Sequence, residues 1–296
     1  MDHIQHSSSR SELYRLMAIT LMFSIAMMMI NPILPLYIVE LGATKLELGL
    51  IMSISSLSGI VLRIPFGIAS DRLERKFLMF FSLLVYSIAL VFLSMVRSLI
   101  WLYPAALLLS IPWASYMPSS TAAVMDLAPS KERGMTMGIY FSSFGTATIL
   151  GPLLTSVLVK FLSYRKLLLT TSVFPAIALA ILLQGGLRRG PIGSSAAKNG
   201  FSLNILGSIK HLIRSRSLIG LSLGRVLYST PNFVFATLFP VYANKELLMT
   251  ASMISLLYTA RGAANALSRL PSGKLCDVIK PKRLLLLAYL ISSIFY

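Results

Sequence analysis

Arg63-Ile-Pro65-Phe-Gly67-Ile-Ala-Ser-Asp71-Arg72-Leu-Glu74-Arg75-Lys76 has a second copy, Arg269-Leu-Pro271-Ser-Gly273-Lys-Leu-Cys-Asp277, at an offset of 206 residues, with Lys282 standing where Lys76 stands. One segment earlier, Pro35-Leu-Tyr37 matches Pro240-Val-Tyr242 at an offset of 205. Each copy of the longer pattern closes a long apolar run and enters a short basic loop. Agreement of Arg, Pro, Gly, Asp and Lys in register, and at the same place in each half, means that the chain is built from two related halves.

The surrounding sequence says what the halves are made of. The chain has 296 residues, 56% of them hydrophobic and 12% charged, with a mean hydropathy of +0.77. A soluble domain carries about 25% charged residues, so a water-facing fold is excluded. The apolar residues gather into runs of about 20, the length of a bilayer-crossing helix. The runs are continuous and rich in Leu, Ile, Met and Ala. They do not alternate, which argues for helices and against a barrel. Spans are expected near 16–39, 47–70, 77–96, 99–124, 134–159, 167–184, 217–243 and 248–272. A ninth starts at Leu284 and meets the last residue, Tyr296, before it could cross, so the chain reads as a fragment of a longer protein. The fold class is an all-α polytopic membrane protein with two pseudo-repeated bundles, the second incomplete: 1–184, a cytoplasmic linker over 185–216, and 217–296.

The net charge of +17 does not mark a nucleic-acid binder, because the basic residues sit at helix ends. The N-terminal segment holds Arg10 and Arg15, and the alternate loops on its side hold Arg72, Arg75 and Lys76, then Lys131 and Arg133, then Arg188, Arg189, Lys198, Lys210, Arg214 and Arg216, then Lys274, Lys280, Lys282 and Arg283. The other set holds Lys45, then Arg97, then Lys160, Arg165 and Lys166, then Lys245. The positive-inside rule places the N-terminus in the cytoplasm of a multi-pass protein of the cell membrane. The first run is too long for a signal-peptide core. Cys276 is the single cysteine, and His3, His6 and His211 lie outside the apolar runs. No disulfide, metal site or cofactor is expected, and a membrane-embedded enzyme lacks its nucleophile–base pair or metal ligands. In the linker, Leu203, Ile205, Leu206, Ile209 and Leu212 alternate with basic residues over 202–214. That segment is either an amphipathic helix on the inner leaflet or a solvated basic linker.

Gly67-Ile-Ala-Ser-Asp71-Arg72-Leu-Glu74-Arg75-Lys76 and its copy around Gly273 and Asp277 resemble the loop signature of the major facilitator superfamily. Asp126, Arg133, Gly138, Gly145 and Gly151-Pro152 resemble its fourth-to-fifth helix passage. The resemblance implies the first nine of twelve transmembrane helices and a secondary transporter of a small solute. Gly151-Pro152 resembles the family's antiporter signature, which favours drug or metabolite efflux over nutrient uptake. Thr155, Ser156 and Ala147 stand where that pattern has glycines, and Glu74 replaces a glycine in the first loop. The alternative is a non-transporting remnant or a regulatory membrane partner.

Gly67 and Asp71 share a helix face, so a neighbouring helix can approach at the glycine while Asp71 meets a helix N-terminus. The resemblance implies that Arg75 pairs with Asp126. Gly67, Asp71, Arg72, Arg75, Lys76, Asp126, Gly273 and Asp277 then form a conformational latch. The competing reading is a set of solvated loop charges. Gly134, Gly138, Gly145, Gly151 and Pro152 read as packing or gating positions in span five. No acid or histidine lies deep in a span, so the coupling ion is not legible. Arg225 and Arg261 do lie within spans, where a buried arginine needs a partner. An anionic solute group is one candidate; snorkelling or carbonyl bonding is the other. Asn31 either satisfies carbonyls freed by Pro32 and Pro35 or faces the cavity. Trp113, Tyr116, Asn232 and Asn265 line that cavity or pack.

Overall fold

The structure is a computed structural model that describes residues 2–128, 132–184, 216–278, 287 and 289–291, with side chains described outside 2–10, 71–72, 216–218, 221 and 269–278. Helices run in the order α1 (Asp2–Ile30), α2 (Leu34–Glu40), α3 (Lys45–Arg72), α4 (Arg75–Met95), α5 (Leu102–Leu127), α6 (Arg133–Leu158), α7 (Tyr164–Thr171), α8 (Val173–Gln184), α9 (Arg216–Lys245) and α10 (Ala251–Val278). No strand occurs among the described residues. In a bilayer every backbone N–H and C=O must find a partner within the protein, and a helix supplies those partners within one segment. The expected linker over 185–215 lies outside the described residues, as does the ninth span apart from helical residues at 287 and 289–291.

Six described stretches are long and apolar enough to cross a membrane: Ser11–Ile30, Lys45–Ser70, Arg75–Met95, Leu99–Leu127, Arg133–Leu158 and Tyr164–Gln184. The helices α9 and α10 match the expected seventh and eighth spans in length, at 30 and 28 residues. They fall short in apolarity because they carry Arg225, Asn232, Arg261 and Asn265.

Two expected spans are broken rather than continuous. The first divides at Asn31–Ile33, where Pro32 has no N–H for the Met28 carbonyl. The Ile33 amide turns to the Ile30 carbonyl at 3.2 Å, which leaves the Met29 carbonyl without its usual helical donor. The sixth divides at Ser172, where Pro175 cannot donate to Thr171. Between α2 and α3, Gly42 takes φ of +95° and Thr44 caps α3. There the Glu47 amide donates to Thr44 Oγ1 at 3.2 Å, and the Thr44 amide donates to Glu47 Oε2 at 2.8 Å.

The helix α1 packs on α6 and α8, while α3 and α4 pack on α5. An aromatic centre joins three of these helices: Phe23 of α1 stacks on Tyr116 of α5 at 4.2 Å and meets Tyr86 of α4 edge-on at 5.5 Å. Polar pairs reinforce the seams. Ser82 Oγ and Ser115 Oγ lie 2.6 Å apart between α4 and α5, and Ser120 Oγ lies 2.7 Å from Tyr140 OH between α5 and α6. Such bonds contribute about 0.6 kcal/mol each in a membrane, because the alternative state also finds partners.

The later helices also reach this core. Val241 and Ala243 of α9 and Ile254 of α10 are buried in the same cluster as Phe23 and Tyr37. Gly134 and Gly138 of α6 have nothing within 4 Å of an added Cβ, and Val226, Leu227 and Leu267 are exposed.

Candidate functional site

The helix α6 is the seam on which the two groups of helices meet. On one face Gly151 lies against α1, where an added Cβ would stand 2.5 Å from Met28 Cβ and 3.0 Å from the Ile25 carbonyl oxygen. Only glycine permits that approach. One turn on, Thr155 Oγ1 donates at 2.8 Å to the Met29 carbonyl, the acceptor released at the break in the first span. A residue that departs from the family's glycine pattern therefore repairs the backbone defect next to Pro32. Asn31 does not perform that repair. Its side chain is exposed, and Nδ2 donates to Met28 Sδ at 3.5 Å.

On its other face α6 meets α10. Ser252 Oγ donates to the Ser156 carbonyl at 2.7 Å. Further along, Gly262 lies so close to the Thr148 carbonyl that any side chain would overlap it. Neither Gly262 nor Ser252 was singled out from sequence. The small-residue run Gly262-Ala-Ala264 beside Arg261 was the available signal. Gly145 and Pro152 are buried, whereas Gly67 and Gly138 are not packing points: nothing lies within 4 Å of a Cβ added at either.

Two expected site residues come together on α9 and α10. Arg261 Nη2 donates to Asn232 Oδ1 at 2.8 Å, and the guanidinium lies 5.5 Å above the Phe235 ring. Phe235 in turn stacks on Phe239 at 4.4 Å. No carboxylate pairs with Arg261 among the described residues. Arg225 is not part of this cluster. It is exposed and lies 5.9 Å above Tyr228, one turn along its own helix. Asn265 follows Arg261 by one turn and is exposed. Trp113 is half-buried, 5.5 Å from Phe144 of α6 and 6.5 Å from Phe23. Tyr116 is a core residue rather than a cavity residue: it is fully buried, and its hydroxyl lies 2.8 Å from Thr20 Oγ1.

Of the loop cluster, Arg75 and Asp126 form an ion pair between the start of α4 and the end of α5, and Arg75 also donates to the Ala122 carbonyl. Lys76 sits beside Arg75 in the first turn of α4, half-buried. Asp71 and Arg72 end α3, and Gly273 and Asp277 lie near the end of α10, with their side chains outside the described ones.

A family model described as the Major Facilitator Superfamily matches residues 16–296. The chain is 29% identical over 160 residues to a multi-drug resistance efflux pump PmrA homolog of Lactococcus lactis, covering 52% of this chain and 38% of that protein. It is 24% identical over 276 residues to the multidrug resistance protein MdtG of Salmonella paratyphi A, covering 90% and 67%. A bacterial homolog of the human lysosomal transporter Spinster, solved inward-facing and unoccupied, shares the fold with a TM-score of 0.75 at 18% identity, covering 93% of this chain and 64% of that one. The chain spans between 32% and 67% of the length of these and similar curated relatives.

Proposed function

The chain belongs to the Major Facilitator Superfamily, a family of multi-pass membrane transporters and not of enzymes, and on that footing we propose that it works as part of a secondary active transporter which moves a small solute by alternating access. Efflux of drugs or metabolites is favoured over uptake, because the relatives named above carry multidrug-resistance and efflux names. One observation carries the alternating-access reading. The two groups are joined through Ser252 and Gly262 of α10 against α6, while nothing lies within 4 Å of a Cβ added at Gly134 or Gly138 nearer the start of α6.

With the N-terminus in the cytoplasm of the cell membrane, the joined end is external and the structure faces inward. The first six spans (1–184) form one bundle, 217–296 begins the second, and 185–216 links them on the cytoplasmic side. Transport then rocks one bundle against the other around a midplane site. Arg261, with Asn232, supplies the charge that recruits an anionic group; Asn31, Trp113, Arg225 and Asn265 remain candidates for contact with the solute, though the structure does not gather them with Arg261.

The latch reading rests on the Arg75–Asp126 pair and the repeated motif. In the outward-facing state Gly67 would receive a helix from the other bundle and Asp71 would meet that helix's N-terminus. Gly273 and Asp277 would do the same against α6. The open space beside Gly67 is what an inward-facing state requires. Asp71→Asn in the full-length protein should abolish flux of its transported solute at unchanged membrane abundance. Normal flux would remove the latch.

A further inference from the structure

The turn between α9 and α10 repeats the turn between α2 and α3, and the two differ at one strained residue. Gly42 has φ of +95°, and Leu248, 206 residues on, has φ of +52°. Leu248 is the one non-glycine residue with a positive φ among the described residues. In both turns the next residue closes the loop: the Ala43 amide donates to the Ile38 carbonyl at 3.4 Å, and the Met249 amide donates to the Ala243 carbonyl at 2.9 Å. In both, the residue after that caps the following helix: the Glu47 amide donates to Thr44 Oγ1 at 3.2 Å, and the Met253 amide donates to Thr250 Oγ1 at 3.3 Å. Asn244 Nδ2 holds the second turn further, donating to the Met249 carbonyl at 2.9 Å. Such a turn needs left-handed backbone at its centre, which glycine adopts freely and the Cβ of leucine opposes.

Leucine recovers nothing for that strain inside the described protein. Leu248 is 82% exposed, and Leu247 beside it is 51% exposed. A strained residue without internal contacts points to a contact outside. The first half shows what kind. Leu46, 74% exposed, projects from the unstrained first turn of α3. Its counterpart at the offset of 206 is Ser252, which is buried and donates to the Ser156 carbonyl of α6. The second half has given that position to the seam with α6 and presents its apolar side chain from the turn itself.

The surroundings identify the contact. The helix α9 ends at Lys245 and α10 begins at Ala251, so the chain between two membrane helices is too short to leave the bilayer surface. Lys245 and Glu246 are both exposed beside the leucines, and their charges balance, which offers little to a strongly charged partner. Adjacent apolar side chains next to exposed polar groups suit the layer where acyl chains meet glycerol and headgroups. We infer that Leu247 and Leu248 insert into phospholipid at this bilayer surface, with Leu248 as the anchor that sets the depth of the α9–α10 turn. The contact is with the chains of the lipid and not with headgroup charge.

Fluorescence of the full-length protein in phosphatidylcholine vesicles tests this. A nitrobenzoxadiazole label is placed at Leu248→Cys and, separately, at Glu246→Cys, in a cysteine-free background that includes Cys276→Ser. Quenching is read with phosphatidylcholine brominated on its acyl chains near the glycerol, and with aqueous iodide. At position 248 lipid quenching should be at least threefold stronger than at 246, and iodide quenching at least threefold weaker. Leu248→Gly keeps the turn and removes the side chain, so it should lower lipid quenching of a label at Leu247→Cys at least twofold. All variants are compared at equal recovery of monodisperse protein. A label at 248 that iodide quenches and brominated lipid does not would overturn the inference. So would a label shielded from both, which marks a protein surface over the turn, from the rest of the transporter or a second copy. Unchanged quenching at 247 in the Leu248→Gly protein would remove Leu248 as the anchor.

Discussion

Gly151→Ala is the sharpest probe of the seam between α1 and α6. The new methyl would stand 2.5 Å from Met28 Cβ and 3.0 Å from both the Ile25 carbonyl oxygen and the Met28 carbonyl carbon. Two of these three contacts are backbone, which no rotamer change relieves. Restoring ordinary carbon contact of about 3.5 Å therefore requires the two helices to part by about 1 Å. That movement also carries Thr155 Oγ1 away from the Met29 carbonyl, now at 2.8 Å, toward the limit beyond which no hydrogen bond remains. Overpacking of this kind costs about 1–3 kcal/mol, and the lost membrane hydrogen bond adds about 0.6 kcal/mol. Alanine in a helix recovers about 0.5–1 kcal/mol of that. The net expectation is a loss of about 1–3 kcal/mol. Gly138→Ala is the matched control, because nothing lies within 4 Å of its added Cβ. It should be neutral or stabilising by about 0.5–1 kcal/mol. Equilibrium unfolding of the full-length protein in mixed micelles reads both. If Gly151→Ala is as stable as Gly138→Ala, the close crossing is wrong, and with it the account of α6 as the seam.

Two further outcomes follow from the same packing. Thr155→Val keeps the shape and removes the donor to Met29, so it should destabilise by about 0.6–1.7 kcal/mol in the same unfolding assay; an unchanged midpoint would mean that the broken first span needs no repair from α6. Tyr116→Phe removes the bond to Thr20 inside the core, so it should lower stability by about 0.6–1.7 kcal/mol and leave solute affinity unaltered; a change in affinity at equal stability would return Tyr116 to the cavity wall.

Much of this protein was legible from residue types and spacing. Runs of about 20 apolar residues demand helices wherever a bilayer is the solvent, because backbone polarity has no other outlet. The doubled Arg-x-Pro-x-Gly-x-x-x-Asp pattern exposed the repeat without any structure. Arg75 meets Asp126, the pair that the family resemblance implied. These are local or periodic signals, and they survive in one dimension.

What tertiary structure alone decided is which residue answers which. Asn31 stood beside the prolines and was the natural candidate to satisfy their freed carbonyls, yet the donor is Thr155, distant in sequence. A hydroxyl can be supplied to a backbone defect by any helix packed against it, and sequence adjacency does not say which one. Tyr116 and Trp113 lie three residues apart on one helix. One is sealed against Thr20 and Phe23 and the other reaches Phe144, a difference set by the rotation of α5 against its neighbours. Gly67 and Gly151 are both glycines on membrane helices, and only Gly151 meets a neighbouring helix, because close approach depends on how each helix is turned against its neighbours. Arg261 was recognisable as a costly intramembrane charge from sequence. Its orientation by Asn232 and Phe235 is a property of two helices brought side by side.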